Sequence, residues 1–485
     1  MQRFKPKFIK KIQSMSKNQR WYELRSSLWP LPIIYILLAV VAAFAAYGIE
    51  FGLQPDLPIG SFFTADYVLT EMIYSTLAYG ILMIHAFTFN MILIVLTSFS
   101  GQFTPRVLFS FIADRRTLHA IGIFNLSYFY ILIGFFMLNS SINEYIIFPV
   151  LGVTAASVSA INFILFINHA AKWMQASNLT NNLNERSQKT ITATNEQDLQ
   201  EYRPFPQKEY LLPQDSPVYS IASSSGGFLQ IVDFKRLITQ AEQDGLVIYL
   251  ERRVGDYLLE GDTLFSYQRY DERPNTPVNE KTYLQFLFIG HKKTEMQDMN
   301  FSVRKLTEIA LKAIGNNEPS TAEDAIYQLA DLIRAISGTA VYRPYLVDAT
   351  DKVRVVMKES TFAYYVYAAF SPIAEAAKKD IKITNRVLES LHLLAESLGG
   401  EAAGVCWHYA ESIAWNFEGK MTFDHDQNQC FSYLRAISET AGQRGAFNTL
   451  MEELEKDGHL EKKTAPASPS LYKHEQKREK AFSDA

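Results

Sequence analysis

The chain of 485 residues has only two cysteines, Cys406 and Cys430, which lie far from any CxxC spacing. This scarcity argues against a disulfide framework and against a structural zinc site, and it fits a reducing compartment. The sequence also lacks a Walker A loop, a GxGxxG segment after a strand, and the HExxH and GxSxG motifs. We therefore expect no catalytic constellation, no metal and no cofactor, and an enzyme is the least favoured class of function.

The net charge of −4 argues neither for nor against an anionic partner, and we expect no nucleic-acid partner.

Charged residues are missing from four long apolar runs in the first third of the chain. None of the runs has Lys, Arg, Asp or Glu in its interior. They cover Leu31–Ile49, Met72–Phe99, Ala120–Leu138 and Tyr145–Ile167. Each is long enough to cross a bilayer, which takes about 20 apolar residues. The first run follows a charged leader and is too long for the core of a cleavable signal peptide. The sequence thus predicts a membrane α-helical bundle of four spans.

Basic residues are absent from two of the segments that join these runs. The loop after the first run and the loop after the third contain acids but no Lys or Arg. The leader is rich in both, Arg106, Arg115 and Arg116 follow the second run, and Lys172 follows the fourth. Because basic loops stay on the cytoplasmic side, we expect both termini in the cytoplasm and the spans in the bacterial plasma membrane.

The segment "FTPRVLFSFIADRR" is the cytoplasmic loop between the second and third spans in this topology. Its apolar residues recur at helical spacing, which predicts a short interfacial helix. Arg106, Asp114 and Arg115 then lie at the depth of the lipid headgroups, where anionic lipid attracts the arginines. One interpretation is a lipid anchor and topology signal. The other is a hinge that couples the spans to the cytoplasmic part.

Polar residues inside the spans are few, and His85, Asn90 and Asn162 are the ones of most interest. A polar group in lipid needs a partner, so each is a functional candidate. Asn residues also serve as hydrogen-bond links between helices. His85 stands apart because its side chain can titrate near neutral pH.

The remaining two thirds of the chain have the composition of a water-soluble protein. Alternating residues predict strands from 216, and Asp233 and Gly245 are the expected start and stop of a helix. From Met299 onward the spacing is helical. The expected organisation is a basic leader 1–28, a four-span domain 29–171, a linker 172–215, a small α+β domain with an antiparallel sheet 216–292, a helical region 293–460 and a disordered tail 461–485.

The segment from Gly290 to Leu306 is the densest polar run of this part. Thr294, Gln297 and Asp298 precede a helix whose free N–H groups could bind an anion. The simpler interpretation is that Asp298 or Asn300 caps the helix. Thr321, followed by Asp324, has the spacing of a capping box for the next helix.

The hairpin "VGDYLLEGDTLF" resembles the glycine turns of lipoyl-like domains, but it lacks their cofactor lysine.

Several motifs together resemble a bacterial membrane-protein family catalogued as domain of unknown function 2254. The matching positions are Phe103–Arg106, Asp114 with Arg115, Ile121–Phe124, Gly227–Gln230, Gly255 with Asp256, Gly261–Leu264, Lys293, Thr294, Gln297, Asp298, Phe301, Asn317, Glu318, Pro319, Thr321 and Ala322. Lys293 stands where the family has Arg, and Glu318 where it has Asp. The resemblance implies a multi-pass plasma-membrane protein with a cytoplasmic domain, and it implies no activity.

Two functions remain open at this point. The first, narrowly favoured, is an oligomeric channel or transporter-like conduit gated by the cytoplasmic domain, because four spans per chain are few for a wide pore. The second is a membrane-anchored regulatory or scaffold protein that binds a ligand or protein through its cytoplasmic domain. We expect a homo-oligomer in contact with anionic headgroups. Candidate ligand or coupling residues are Arg106, Asp114, Arg115, Thr294, Gln297, Asp298, Asn317, Glu318 and Thr321.

Overall fold

A computed structural model of the protein describes most of the chain between residues 29 and 456. The described residues are 29–53, 64–102, 111–142, 144–174, 180–181, 184–185, 187–189, 199–202, 212–213, 216–270, 278–293, 297–338, 344–358, 361–419 and 423–456. The expected leader 1–28, the tail 461–485, most of the expected interfacial helix, Arg106 and Thr294 lie outside these residues.

Four apolar helices come first, as the hydropathy of the sequence predicts. They are α1 Pro30–Gly48, α2 Tyr67–Gln102, α3 Arg115–Met137 and α4 Ile147–Trp173. All four are long and apolar enough to cross a membrane. A π-helical segment, Ile49–Leu53, continues α1. Helix α3 packs against the other three helices, and α2 also packs against α4.

Specific contacts near the start of α4 join this helix to α1 and α2. The Glu50 carboxylate accepts hydrogen bonds from the backbone N–H groups of Ile146, Ile147 and Phe148, at 2.8, 2.6 and 3.0 Å. The first N–H groups of a helix have no partner within the helix, so Glu50 supplies one from the end of α1. The Tyr74 hydroxyl donates to the Phe148 carbonyl at 2.8 Å. These contacts fix the start of α4 against α1 and α2.

Two sheets follow, where a single antiparallel sheet is expected. The strands are β1 Tyr219–Ala222, β2 Gly227–Val232, β3 Leu246–Leu250, β4 Tyr257–Leu258, β5 Thr263–Arg269, β6 Leu287–Gly290, β7 Tyr345–Val347 and β8 Val353–Val356. The larger sheet has the order β1-β5-β3-β8-β7 and the smaller one β4-β2-β6. All pairs are antiparallel except β3 with β8, which is parallel. The larger sheet is therefore mixed, and two of its strands come from the region expected to be helical.

The helices of this region match the expected caps in some places and not in others. They are α5 Phe234–Asp244, α6 Glu280–Leu284, α7 Met299–Gly315 and α8 Pro319–Gly338. Helix α5 begins after Asp233 and ends before Gly245, which has a φ of 66°, as predicted. Helix α8 begins at Pro319, so Thr321 lies in its first turn and is not its cap. Proline at the first helical position has its φ preset and needs no N–H partner there.

Part of the segment expected to be a linker is bound to α8. The Asn184 amide donates to Asp331 Oδ2 at 2.9 Å and to Gln328 Oε1 at 2.6 Å. The Gln188 amide donates to Asp331 Oδ2 at 2.7 Å. Although burial opposes ionisation, hydrogen bonds from Arg334, Asn184 and Gln188 hold the pKa of Asp331 below its usual value. These residues after α4 therefore belong to the folded structure.

The chain divides into two compact units. One contains residues 1–360 with 368–373, and the other contains residues 361–367 with 374–485. Helix α9, Phe362–Ala376, contributes to both. The second unit also contains α10 Ile381–Leu398, α11 Gly400–Asn416, α12 Asp424–Thr440 and α13 Arg444–Lys456. Helix α12 ends before Gly442, whose φ of 69° interrupts the helical pattern that runs through residues 430–458.

Candidate functional site between β2 and helix α7

Two consecutive turns with the same hydrogen-bond pattern lie beside the smaller sheet. In residues 253–256 and 259–262, the fourth residue donates its N–H to the carbonyl of the first, at 3.1 Å in both turns. The fourth residue is Asp each time, and its carboxylate accepts the N–H of the first residue. The third residue is Gly255 or Gly261, with φ of 93° and 90°. Glycine suits this position because it adopts a positive φ without a steric penalty.

The first turn is joined to strand β2 by backbone hydrogen bonds. The Gly255 N–H donates to the Leu229 carbonyl at 2.8 Å, and the Leu229 N–H donates to the Asp256 carbonyl at 3.0 Å. The turn is thus held at a fixed position along β2. Two of the family-like motifs, Gly227–Gln230 and Gly255 with Asp256, are therefore in direct contact.

Two glutamine side chains join residues 292 and 297 to the same strand. The Gln230 amide donates to the Lys292 carbonyl at 2.6 Å. The Gln297 amide donates to the Val232 carbonyl at 3.0 Å, and its Oε1 accepts the Val232 N–H at 2.9 Å. The two backbone groups of Val232 are thereby paired with a side chain, as they would be with another strand. Lys292 and Gln297 are consequently held to β2.

Asp298 follows this segment and caps α7. Its Oδ1 accepts the Phe301 N–H at 3.1 Å, so the capping interpretation of the sequence is confirmed for Asp298. Its side chain lies against the Cα of Gly255, at the place where a β carbon would be. Only 5% of Asp298 is exposed. Burial raises the pKa of its carboxyl to about 6, although Lys293 and Arg304 oppose the shift.

A cation and two aromatic rings lie on the outer face of β2. The Lys293 Nζ is 5.2 Å from the centre of the Phe228 ring, and the Phe228 and Tyr257 rings are 4.9 Å apart. Tyr257 is 55% exposed. Cations are attracted to the faces of aromatic rings. This face therefore presents one charge and two rings beside the buried Asp298. The residues that meet here form the β2–α7 cluster: Phe228, Gln230, Gly255, Lys293, Gln297 and Asp298.

The other residues predicted for this site lie elsewhere or outside the described part. Thr294 is not among the described residues. Asn317, Glu318 and Thr321 lie at the junction of α7 and α8. That junction is at the opposite end of α7 from Asp298, roughly 25 Å away at 1.5 Å per residue. Asn317 has a φ of 59°, and the Glu318 N–H donates to the Ala313 carbonyl at 2.9 Å. The structure thus separates these residues from the β2–α7 cluster.

Asp114 and Arg115 lie at the start of α3 in the bundle. Asp114 is the N-cap, and its Oδ2 accepts the Arg116 N–H at 3.2 Å. The same oxygen lies 3.1 Å from Nε2 of His169 on α4. The Phe111 ring stacks on His169 at 6.3 Å. Arg115 and Arg116 are exposed.

The three polar residues predicted within the spans occupy different environments. The Asn162 amide donates to the Ala120 carbonyl of α3 at 3.0 Å, which is an interhelical link. The His85 ring stacks on Phe89 and on Phe124 of α3, and its buried Nε2 has no hydrogen-bond partner among the described residues. Asn90 is exposed on α2. None of these hydrogen bonds and ring contacts joins any two of the three residues.

Sequence reasoning missed several residues that form these contacts. Glu50 and His169 are separated from their partners by dozens of residues in the sequence. No local pattern therefore indicates either pairing. The sequence marks Gln230 and Gly255 only as parts of a resemblance. The repeated "RVGD" and "LEGD" segments were the available signal for the two turns. The described part contains no group of three or more His, Cys, Asp or Glu side chains arranged to hold a metal ion.

Comparison with known proteins gives one family match and distant relatives. The model of the family described as predicted membrane protein (DUF2254) matches residues 25–392. Uncharacterized proteins of Mycobacterium bovis and Mycobacterium tuberculosis are 22% identical to the chain over 319 residues. The matched part covers 64% of this chain and only 60% of the length of those curated relatives. No solved structure matches the chain.

Proposed function

Since this chain belongs to the family of predicted membrane proteins DUF2254, we propose that it is a membrane-anchored regulatory protein. In this proposal the β2–α7 cluster is the sensing site, and α7 transmits its state to the bundle. The cluster responds to a ligand or protein partner outside the bilayer. Four candidate spans anchor the protein in the membrane.

The position of Asp298 is the observation that carries the proposal. Burial disfavours the ionised form of a carboxyl group and so raises its pKa. Groups whose pKa is shifted in this way concentrate at functional sites. Asp298 is also the first point of α7, and α7 approaches α2, with Cα atoms no more than 8 Å apart. A change in the charge or position of Asp298 can therefore reach a candidate span, α2, through the single helix α7.

The polar contacts within the bundle also support an anchor. Asn162 and Glu50 each hydrogen-bond to the backbone of another helix or its start, and Asp114 lies beside His169. These groups are engaged in holding helices together.

The topology and surroundings are part of the same proposal. Both termini lie in the cytoplasm and the spans lie in the bacterial plasma membrane, because the basic residues follow the positive-inside rule. Arg115 and Arg116 are exposed at the start of α3, where anionic headgroups would attract them. The protein forms a homo-oligomer.

An oligomeric conduit gated by the domain outside the membrane is the second candidate. It is favoured by Asn90, which is exposed on α2, and by the buried Nε2 of His85, which has no partner among the described residues. Asn90 would line a path only between copies of the chain. In this candidate, substitution of both residues removes ion flux.

The test uses hydrogen exchange of the full chain in lipid nanodiscs. Asp298→Asn removes the charge and keeps a capping side chain. We expect it to change the exchange rates of α2 as well as those of α7. Asp380→Asn is the matched control, because Asp380 caps α10 in the second unit in the same way, and it should leave α2 unchanged. Identical α2 exchange in Asp298→Asn and the wild type would overturn the regulatory proposal.

A flux measurement on the same preparation separates the two candidates. Liposomes containing the wild-type chain are assayed for potassium, sodium and proton flux beside liposomes containing the His85→Ala, Asn90→Leu variant. Absence of flux supports the anchor. Flux that the double variant loses would establish the conduit instead.

A further inference from the structure

The start of α3 carries three basic side chains on one face of the helix. Arg115, Arg116 and His119 are all exposed. Residues three and four positions apart are neighbours on a helix surface, so His119 lies beside both arginines. Within the described part of the chain, neither guanidinium forms an ion pair. Asp114, the nearest acid in the sequence, is 7% exposed, caps the helix and faces His169 on α4.

Tyr35 of α1 fixes the orientation of the His119 ring. The Tyr35 hydroxyl lies 2.9 Å from Nδ1 of His119, and the two rings meet edge to face with their centres 6.0 Å apart. The Tyr35 ring occupies the place where a β carbon of residue 122 would be, so Gly122 lets it pack directly on α3. When Nδ1 accepts the tyrosine proton, the proton of a neutral imidazole is on Nε2. Nε2 is then a hydrogen-bond donor, and it has no acceptor among the described residues.

These side chains lie at the level of the lipid headgroups when α1 and α3 cross the bilayer, which is a premise taken from the proposed function. Both helices are candidate spans. Arg115 is the first residue of α3, and Trp29, which precedes α1, is 74% exposed. Tryptophan is enriched at membrane–water interfaces. His119 lies roughly 6 Å further along α3 at 1.5 Å per residue, and its side chain inclines towards the helix start.

We propose that Arg115, Arg116 and His119 bind the phosphate group of an anionic phospholipid, and that Tyr35 is the positioning residue for His119. Guanidinium groups form paired hydrogen bonds with phosphate oxygens. Nε2 of His119 supplies a further donor from the same face. Because Tyr35 holds this ring in place, binding does not have to order it, which lowers the entropic cost.

The surface next to Tyr35 favours a lipid over a soluble phosphate. Ile34 and Leu38 are 51% and 49% exposed. They lie four positions apart on one face of α1, and Tyr35 lies between them in the sequence. A phosphate held at the start of α3 is therefore next to exposed apolar side chains that run along α1 into the bilayer. The acyl chains of the same lipid can pack on these side chains.

Native mass spectrometry of the full chain tests the site. The protein is purified in detergent and titrated with an equimolar mixture of phosphatidylglycerol, which is anionic, and phosphatidylcholine, which has no net charge. We expect the wild type to retain one phosphatidylglycerol per chain in preference to phosphatidylcholine. The double variant Arg115→Gln, Arg116→Gln should reduce this preference about 25-fold, because each basic residue at a membrane surface contributes about fivefold to the binding of anionic lipid.

Tyr35→Phe separates an oriented site from a general attraction between charges. It keeps every charge and the packing on Gly122 but releases the His119 ring. We expect the preference to fall about fivefold, the effect of a typical hydrogen bond. Tyr47→Phe is the matched control on the same helix, since Tyr47 is 44% exposed. Lys172→Gln is the control for charge, because Lys172 is an exposed base at the end of α4.

Both controls should keep the preference of the wild type within about twofold, a change well below the effect of one hydrogen bond. Thermal unfolding in phosphatidylcholine nanodiscs checks that every variant folds. Equal retention of the two lipids by the wild type would overturn the site. A loss in Lys172→Gln as large as that in Arg116→Gln alone would also overturn it, since it would show a general attraction between charges.

Two further outcomes contradict parts of the proposal. An unchanged preference in Tyr35→Phe would overturn the oriented role of His119. Displacement of phosphatidylglycerol by inorganic phosphate would identify a site for a soluble anion and overturn the assignment to a lipid. The measurement involves neither Asp298 nor the exchange of α2, so this inference and the regulatory proposal can fail separately.

Discussion

The carboxylate of Asp298 lies against the Cα of Gly255, so the cap of α7 and the first glycine turn share one space. The turn is hydrogen-bonded to β2, and α7 approaches α2. Because Gly255 has no side chain, the buried carboxylate of Asp298 can reach the turn beside the sheet.

Gly255→Ala should destabilise the protein much more than Gly261→Ala. Both glycines have a φ near 90°, so both substitutions carry the backbone strain of a positive φ, about 1–2 kcal/mol. Only Gly255 has the Asp298 carboxylate where its new β carbon would be, while Gly261 has open space. We expect the additional loss for Gly255→Ala to be about 1–3 kcal/mol, as in overpacked cores. Thermal unfolding in nanodiscs measures the difference, and equal losses would disprove the close contact.

Asp298 should make the first turn of α7 less stable as pH rises through the range from 3.8 to about 6. The folded state holds the proton more tightly than the unfolded state, so its stabilising effect is present below pH 3.8 and is lost above pH 6. The shift corresponds to on the order of 3 kcal/mol. Lys293 and Arg304 face the carboxyl, and Arg253 and Asp256 lie in the adjoining turn.

Asp298→Asn should flatten this pH profile and stabilise α7 at pH 8 relative to the wild type. Hydrogen exchange of the α7 amides between pH 5 and pH 8, corrected for the intrinsic rate, measures both effects. Asp380→Asn keeps Asp298 in place and should keep the wild-type slope. A slope that persists in Asp298→Asn would assign the titration to another group.

The ion pair of Asp348 and Arg354 should stabilise the β7–β8 hairpin. Arg354 Nε lies 2.5 Å from Asp348 Oδ2, and both side chains are less than a tenth exposed. Asp348 Oδ1 also accepts from the Thr350 N–H and hydroxyl, at 2.8 and 2.6 Å. Although burial opposes ionisation, hydrogen bonds from Thr350 and Arg354 hold the pKa of Asp348 below its usual value.

Arg354→Met alone should lower the free energy of unfolding by about 3–5 kcal/mol, because it leaves a buried carboxylate without its cation. The double variant Arg354→Met, Asp348→Leu should recover part of this loss. Since the pKa of Asp348 is lowered, the contribution of the pair is present above its unfolded pKa and is lost on acidification. Denaturant unfolding of the four members of the cycle gives the coupling energy, and a coupling near zero would contradict the prediction.

Glu50→Ala should weaken the bundle by about 2–4 kcal/mol, since three N–H groups at the start of α4 lose a charged acceptor. Glu144→Ala is a suitable control, because Glu144 is an exposed acid close to the same helix start. Thermal unfolding in nanodiscs should separate the two variants. If they unfold at the same temperature, the Glu50 carboxylate does not contribute as its geometry indicates.

Local signals predicted those elements whose determinants are close in sequence. Asp233 and Gly245 delimit α5 because a cap and a left-handed glycine act within one turn. The apolar runs likewise predicted four apolar helices, which are candidate spans, because hydropathy acts over a short stretch of sequence. Thr321 and Asp324 have the spacing of a capping box, but Pro319 offers an earlier start with its φ already set, and the helix begins there.

Pairings between distant residues could not be predicted from the sequence. Strand β8 joins β3 in parallel, at Ile248 with Val355, across more than 100 residues. Gln230 and Gln297 were recognisable as polar residues, but their role depends on backbone groups that only the fold brings near. The candidate site was therefore predicted in part, as Gln297 and Asp298, without the strand and the turn that complete it.

The start of α4 has a consequence for the order in which the protein is made. Its acceptor Glu50 is synthesised about a hundred residues before the N–H groups that it binds, and Tyr74 also precedes its partner Phe148. Helices α1 and α2 therefore leave the ribosome with polar groups whose partners do not yet exist. Synthesis of α4 supplies those partners, so truncation before Ile147 should yield an incomplete bundle that cellular quality control can recognise.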